Sequence, residues 1–439
     1  MHVAPHLHQA HEGRLNKASI RLEGSRQLSS GARVQLGLEE LLVTPPSNSA
    51  DLKPTVPTSY SLFPGQIVAV EGVCSSGRKI QASRLLEGVP PPADKATRAE
   101  LLEYHHGSER QNGSPLSIVS LCGPFTTRDN LDYDPLVEAL VQIQKDRPDV
   151  VILCGPFVDG RQPLIAGGEP TVALEDGSET KVSSEKLFAD KVSLLLEEMY
   201  TVDPDLTTQV VLVPSLDDAF LDAVYPQPPM EDRAPGVDVP RDQAGMFGDL
   251  GLRHVEAAGR EDRPARGRPR RVHCVPNPCT LRINDVTVGV TSTDILAHLS
   301  ADECNAGLPP NTRLARLASH LVRQRSYYPL FPAAKGACLD LSKAERWEMP
   351  ARPDVLIVPS RLNAFAKEVC DGTTVAVNPG TLARGTTGGT YAVVDVHPVG
   401  REALEQSETR VKQEGETGAA AELAEQGVQA RVRVDIKRI

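Results

Sequence analysis

The chain of 439 residues is poor in aromatic side chains: Phe, Trp and Tyr make up 4% of it, with a single Trp. Proteins that hold single-stranded nucleic acid stack bases on aromatics, and little here could build such a platform. Positive charge is not in surplus either. Against 58 Asp and Glu stand 47 Lys and Arg, for a net charge of −11. That excludes a broad cationic surface for a phosphate backbone, though not a local basic groove. No apolar run approaches the ~20 residues needed to cross a membrane. Eight cysteines occur without paired spacing, and no hydrophobic signal segment is expected at the start of the chain. Both favour a reducing interior compartment.

What the chain does contain is a hydrophobic fraction of 40%, enough for real cores, and a length that suits two or three domains. The most ordered stretch spans residues 117–160. Ser117–Leu121 and Val150–Leu153 are short apolar runs of the kind buried on both faces of a sheet. Between them Asp134-Pro135 starts a helix, with Pro135 suited to the first turn. Leu136, Leu140 and Ile143 recur along one face of it, and Arg147-Pro148 stops it. This is a βαβ unit, which implies parallel strands. Each strand ends in the tetrapeptide Cys-Gly-Pro-Phe, at 122–125 and 154–157. Sites in α/β sheets lie at the carboxyl ends of strands, so the places where chemistry is expected carry Cys-Gly-Pro, a poor set for acid, base or metal work.

Upstream, residues 1–12 read as a disordered N-terminus and residues 13–92 as a small β domain. Ala18–Glu23 alternates as a strand, Val34–Leu42 continues into LGLEEL as a helical turn, and Val43–Thr58 reads as a Pro- and Ser-rich loop insertion. Phe63-Pro64-Gly65 is a turn, Gln66–Glu71 a strand, Ser75–Gly77 a hairpin tip and Ile80–Leu86 a second strand. Short strands with glycine turns suggest a small barrel of the OB type, whose only nearby aromatics, Tyr60 and Phe63, sit in the turn. Residues 93–116 read as a linker holding a helix at Ala93–Tyr104, and residues 117–439 as a second, mixed α/β domain. In that domain Ser184–Tyr200 is an amphipathic helix, Val210–Val213 a third buried strand, and 226–271 a disordered insertion with a locally basic end at Arg260–Arg271. A hairpin (Cys279–Ile283, Val286–Thr291), a helix at Leu314–Arg325 and strands at Val355–Val358, Thr374–Val377 and Thr390–Val396 follow. Glu402–Gln426 is polar and helical or disordered, and Val428–Ile436 alternates as a closing edge strand.

The candidates for chemistry are weak. His273, Cys274 and Cys279 could begin a zinc site, but a structural zinc needs four ligands and no second close pair is nearby. Cys122 and Cys154 have no basic neighbour or helix N-terminus to lower their pKa, so they read as buried structural thiols. Gly72–Arg78 has the glycines of a phosphate loop without its Lys-Ser/Thr ending, and reads as a plain hairpin. Asp159, Asp217 and Asp218 are lone carboxylates at strand ends, fewer than the converging set a two-metal hydrolase needs, and read as turn caps.

The succession SLFPGQIVAVEG, SLCGPF, VILCGPFVDG, VLVPSLDDA, YPQPP, RVHCVPNPC, GVTSTD, PDVLIVPSRLNAF and VNPGTLARGTTGGTYAVVDV resembles the B-subunit family of DNA polymerase alpha, from about Gly13 to Ile439. The resemblance implies an OB-fold barrel followed by an inactivated calcineurin-like phosphoesterase domain. Active members of that fold read Asp-x-His, Gly-Asp-x-x-Asp and Gly-Asn-His-Asp at the first three strand ends. Here Cys122-Gly123-Pro124, Gly155-Pro156-Phe157-Val158-Asp159 and Ser215-Leu216-Asp217-Asp218 stand there. Cys122, Pro124, Pro156, Asp159, Leu216 and Asp217 are thus degenerate metal-site positions; proline and leucine cannot coordinate a cation, and no catalytic residue, metal or other cofactor is expected. By resemblance the function is architectural: a nuclear, non-catalytic subunit that binds the C-terminal domain of the catalytic subunit, joins it to the primase subunits, supports initiation of DNA replication, and has at most a weak DNA contact and none with membrane. The alternatives are an active metal-dependent phosphoesterase or nuclease, and a small subunit of polymerase delta or epsilon.

Overall fold

A computed structural model describes residues 2–4, 15–39, 41, 59–168, 170–173, 178–230, 250, 252, 271–404 and 427–439. The loop insertion expected at 43–58, most of the insertion expected at 226–271 and residues 405–426 lie outside these. The described chain is a mixed α/β structure with several sheets. It divides into two compact units, one of residues 1–92, 295–337 and 347–352, the other of residues 93–294, 338–346 and 353–439.

In the first unit a five-stranded sheet takes the order His2–Ala4, Arg21–Glu23, Arg33–Gly37, Lys79–Leu86, Ala69–Val73. Two expectations need correction. The N-terminal residues contain a strand, since His2–Ala4 pairs antiparallel with Arg21–Glu23. Arg33–Gly37, expected to run into a helical turn, is a strand as well. Its Leu36 side chain joins Ile20, Leu22, Leu62, Val68 and Ala82 in an apolar core, and that burial outweighs the helical propensity of the leucines and glutamates around it. A separate two-stranded ladder pairs Tyr60–Leu62 with Cys304–Ala306. The helices Ile295–Asp302 and Arg313–Arg323 belong to this unit.

The second unit has two sheets. The six-stranded sheet runs Val272–Cys274, Gln209–Val213, Val150–Cys154, Leu116–Cys122, Thr390–Val396, Val432–Arg438, its first four strands parallel. Alternation along each strand explains the continuous apolar runs. Val119, Leu121, Val151, Leu153, Val210 and Leu212 face a core covered by the helix Asp134–Asp146 and the helical stretch Ser184–Val202. Ile118, Val150, Ile152, Val211 and Val213 face the opposite way. There they meet Val286, Val288, Val290, Val355, Ile357, Val375 and Val377 from the second sheet, ordered Cys279–Ile283, Val286–Val290, Val355–Ile357, Thr374–Asn378, Phe365–Val369. The stretch expected to be a linker carries the helix Arg98–His106, opened by a capping box in which the Thr97 hydroxyl accepts from the Glu100 amide and the Glu100 carboxylate accepts from the Thr97 amide.

Candidate site at the strand ends

Register places the expected positions side by side. Cys122 lies opposite Cys154, and Cys154 opposite Val213. The three segments that leave these strands therefore meet, bringing Cys122, Pro124, Pro156, Asp159, Leu216 and Asp217 into one region. The Gly123 amide donates to the Cys154 carbonyl at 2.8 Å and the Gly155 amide to the Val213 carbonyl at 2.9 Å. A Cβ at Gly123 would overlap the Pro156 carbonyl, and one at Gly155 would come within 2.5 Å of Asp218 Oδ2. The glycine of each Cys-Gly-Pro-Phe is required by close packing of neighbouring strand ends. Its phenylalanine is required by the core, since Phe125 and Phe157 stack at 5.3 Å and Phe157 meets Phe188 edge-on. Gly123-Pro124 and Gly155-Pro156 are both cis.

The thiols are held shut. Burial pushes Cys122 and Cys154 well above the ordinary thiol range, with nearby Asp294 and Asp218 adding to the effect at Cys122. Asp218 is held by three backbone amides. Its Oδ1 accepts from the Phe157 and Val158 amides at 2.5 and 3.1 Å, and its Oδ2 from the Ser215 amide at 2.9 Å. Burial pushes its carboxyl up to about 7, against the pull of those three amides. Asp159 and Asp217 are also raised by burial. Asp159 Oδ1 accepts from the Arg161 amide at 2.9 Å, and Asp217 pairs with the Arg161 guanidinium at 2.6 Å.

The second sheet contributes polar groups of the same kind. Asp294 accepts from the Ser360 hydroxyl at 2.5 Å and the Arg361 amide at 3.1 Å. Asn378 accepts from the Ser360 and Gly380 amides and donates to the Ser360, Leu362 and Asn363 carbonyls. Asn277 accepts from Thr291 and Ser292 and donates to Gln227, whose own amide donates to the Ser215 carbonyl. Ser292 Oγ donates to the Pro214 carbonyl at 2.5 Å. These side chains sew loops together. Sequence reasoning read Asp218 as a turn cap, which its bonds to the Ser215, Phe157 and Val158 amides match, but left Asp294, Asn277 and Gln227 without roles. One signal was available: the spacing Ser215-x-x-Asp218 lets a carboxylate fold back on an amide three residues earlier.

The residues present do not fit a metal pair. Pro124, Pro156 and Leu216 offer no donor atom, and among the described residues no group of three or more His, Cys, Asp and Glu is placed to hold an ion. The weaker zinc candidate is also dispersed. His273 bonds Gln209 at 3.0 Å on the six-stranded sheet, whereas Cys279 lies on the other sheet, its thiol pushed up to about 12 by burial. Gly72 lies within the strand Ala69–Val73, paired with Ala82, and Gly77 lies in the connection to Lys79–Leu86.

Comparison with known proteins agrees with the pattern of motifs. The B subunit of DNA polymerase alpha from Rattus norvegicus is 35% identical over 380 residues, covering 86% of this chain and 52% of that protein. Its Schizosaccharomyces pombe namesake is 34% identical over 394 residues, with 88% and 57% covered. The Saccharomyces cerevisiae protein of the same name is 28% identical over 417 residues, with 87% and 51% covered. The chain thus spans about half the length of the curated relatives it matches. Residues 118–367, more than half of the chain, match the model of the family described as the B subunit of DNA polymerase alpha/epsilon, and the chain belongs to that family.

Proposed function

We propose that this chain is a non-catalytic accessory subunit of DNA polymerase alpha–primase, acting in the nucleus as a scaffold during initiation of replication. In this reading residues 13–92 form the heart of an OB-fold barrel, 93–116 a linking segment and 117–439 a calcineurin-like phosphoesterase domain that has lost its metals. Within the latter span, residues 295–337 and 347–352 group with the first compact unit. The partners are the C-terminal domain of the catalytic subunit and, through it, primase. The observation that carries the reading is the use to which the strand ends are put. Where a phosphoesterase needs converging ligands there are two prolines and a leucine, and the buried Asp218 is taken up by three backbone amides. A group so used orients loops, with three of its roughly four lone-pair sites given to the backbone.

The test is a pull-down of the full chain against the C-terminal domain of the catalytic subunit, with metal content and phosphodiesterase activity measured on the same preparation. Tight binding without stoichiometric metal or hydrolysis is expected. Metal-dependent hydrolysis with no partner retained would overturn the proposal in favour of an active phosphoesterase. Capture of delta or epsilon subunits instead of primase would reassign the assembly.

A further inference from the structure

Two adjacent histidines at the end of the Arg98–His106 helix hold both backbone groups of one distant residue. The Val399 amide donates to His105 Nδ1 at 3.2 Å, and the Val399 carbonyl lies 2.9 Å from His106 Nε2. A main-chain amide can only donate and a carbonyl can only accept, so the tautomers follow from geometry. His105 Nδ1 carries a lone pair, and His106 Nε2 carries a proton. The other nitrogen of His105 faces Asp285 Oδ1 at 3.0 Å, so it donates there. Asp285 sits in the turn of the Cys279–Val290 hairpin, and its second oxygen accepts from Arg431 at 2.7 Å. Burial alone would raise the Asp285 carboxyl, but the bonds from His105 and Arg431 hold it below the usual range. Arg431 in turn donates to the His397 carbonyl at 2.6 Å. Around this chain of bonds Leu101, Val399 and Leu404 form a small apolar cluster.

We propose that His105 is an acid-sensitive pin that fastens the 397–404 segment to the Arg98–His106 helix. The groups facing it are Asp285 from the hairpin turn, Arg431 behind Asp285, and His106 on its own helix, with ring centroids 6.3 Å apart. Its side chain is fully buried, so Nδ1 has no water to turn to. A proton added at Nδ1 turns an acceptor into a donor aimed at the Val399 amide, which also can only donate. The latch is therefore closed while the Nδ1 lone pair is free and opens as pH falls. His106 does not share this sensitivity, because protonation leaves its Nε2 a donor.

The test is amide hydrogen exchange on the full chain, corrected for intrinsic rates, at about pH 7.5 and about pH 5.5, on either side of the ordinary histidine value. In the wild type, protection of the Val399 amide is expected to fall by about tenfold or more on acidification, the loss of one hydrogen bond. In His105→Asn, which keeps an acceptor near the Nδ1 position but does not titrate, protection is expected to be independent of pH over that range. If the variant does not fold, long-range proton–nitrogen correlations of wild-type His105 read the Nδ1 lone pair directly at the higher pH. Equal wild-type protection at both pH values, a pH-dependent loss that persists in His105→Asn, or a protonated Nδ1 at the higher pH would each overturn the proposal.

Discussion

Asp218 in the second unit and Glu303 in the first are both buried carboxylates, and they are held by opposite means. Asp218 meets three uncharged backbone amides, and burial leaves its carboxyl raised to about 7. Glu303 is buried too, which alone would raise it, yet it is held well below the usual range by His320, Arg316 and Ser61. Arg316 grips it with two nitrogens, at 2.7 and 3.0 Å, and the Ser61 hydroxyl donates at 2.5 Å. Ser61 also lies 2.7 Å from His320 Nε2, whose ring stands edge-on to Phe63. One carboxylate joins loops through dipoles and the other joins elements through charge. Both are engaged by several donors, so burial of a carboxylate is accounted for here by structure alone.

The comparison breaks most visibly at Glu303. Glu303→Ala leaves the largely buried Arg316 guanidinium without its partner and is expected to cost about 3–5 kcal/mol. Asp218→Ala leaves three amides without an acceptor but strands no charge, and is expected to cost about 2–4 kcal/mol. Urea unfolding of the intact chain at neutral pH checks both. Equal losses would mean that charge adds nothing to the first cluster.

The pH dependence sharpens the contrast, because the two signs are opposed. Asp218 is raised from 3.8, so its contribution is fully present below about 4 and is lost as pH rises through about 7. Glu303 is depressed from 4.5, so its contribution is present above about 4.5 and lost as pH falls further. Unfolding free energies followed from about pH 4.5 to about pH 8 should therefore show wild type losing ground to Asp218→Asn, by something on the order of 3 kcal/mol. The gap between wild type and Glu303→Gln should hold steady across the same range. A gap to Asp218→Asn that widens in wild type's favour with rising pH would mean the three amides outweigh burial.

The legibility of these two regions differed for the same physical reason. Strands buried on both faces write themselves as apolar runs, so Leu116–Cys122, Val150–Cys154 and Gln209–Val213 were readable to within a residue or two. The helix Asp134–Asp146 announced itself through Pro135 and the spacing of Leu136, Leu140 and Ile143. The degenerate strand ends could be found once their strands were. The Glu303 cluster could not, because Ser61 and Glu303 are 242 residues apart, and periodicity reports only on neighbours. Phe365–Val369 was missed because its exposed Lys367 and Glu368 interrupt any apolar pattern, as suits an edge strand. Asp218 could be read as a turn cap, but not as a buried one, because a carboxylate serving backbone amides is spelled like a surface one.

The smallest effect expected is at the rim of the strand-end site. Arg161 is largely exposed and pairs with Asp217 at 2.6 Å, while its backbone amide donates to Asp159. Arg161→Ala removes only the guanidinium, because the amide bond to Asp159 does not depend on the side chain. Solvent screens the exposed pair, so the expected loss is under about 1 kcal/mol. Raising the salt concentration should shrink it further. Burial raises the Asp217 carboxyl against the pull of Arg161, so removing the guanidinium should raise it again, which carbon-detected carboxyl titration can follow. A loss as large as that at Asp218 would mean the rim and the buried centre of the site unfold together, and the division between surface charge and buried dipole would fail for this unit.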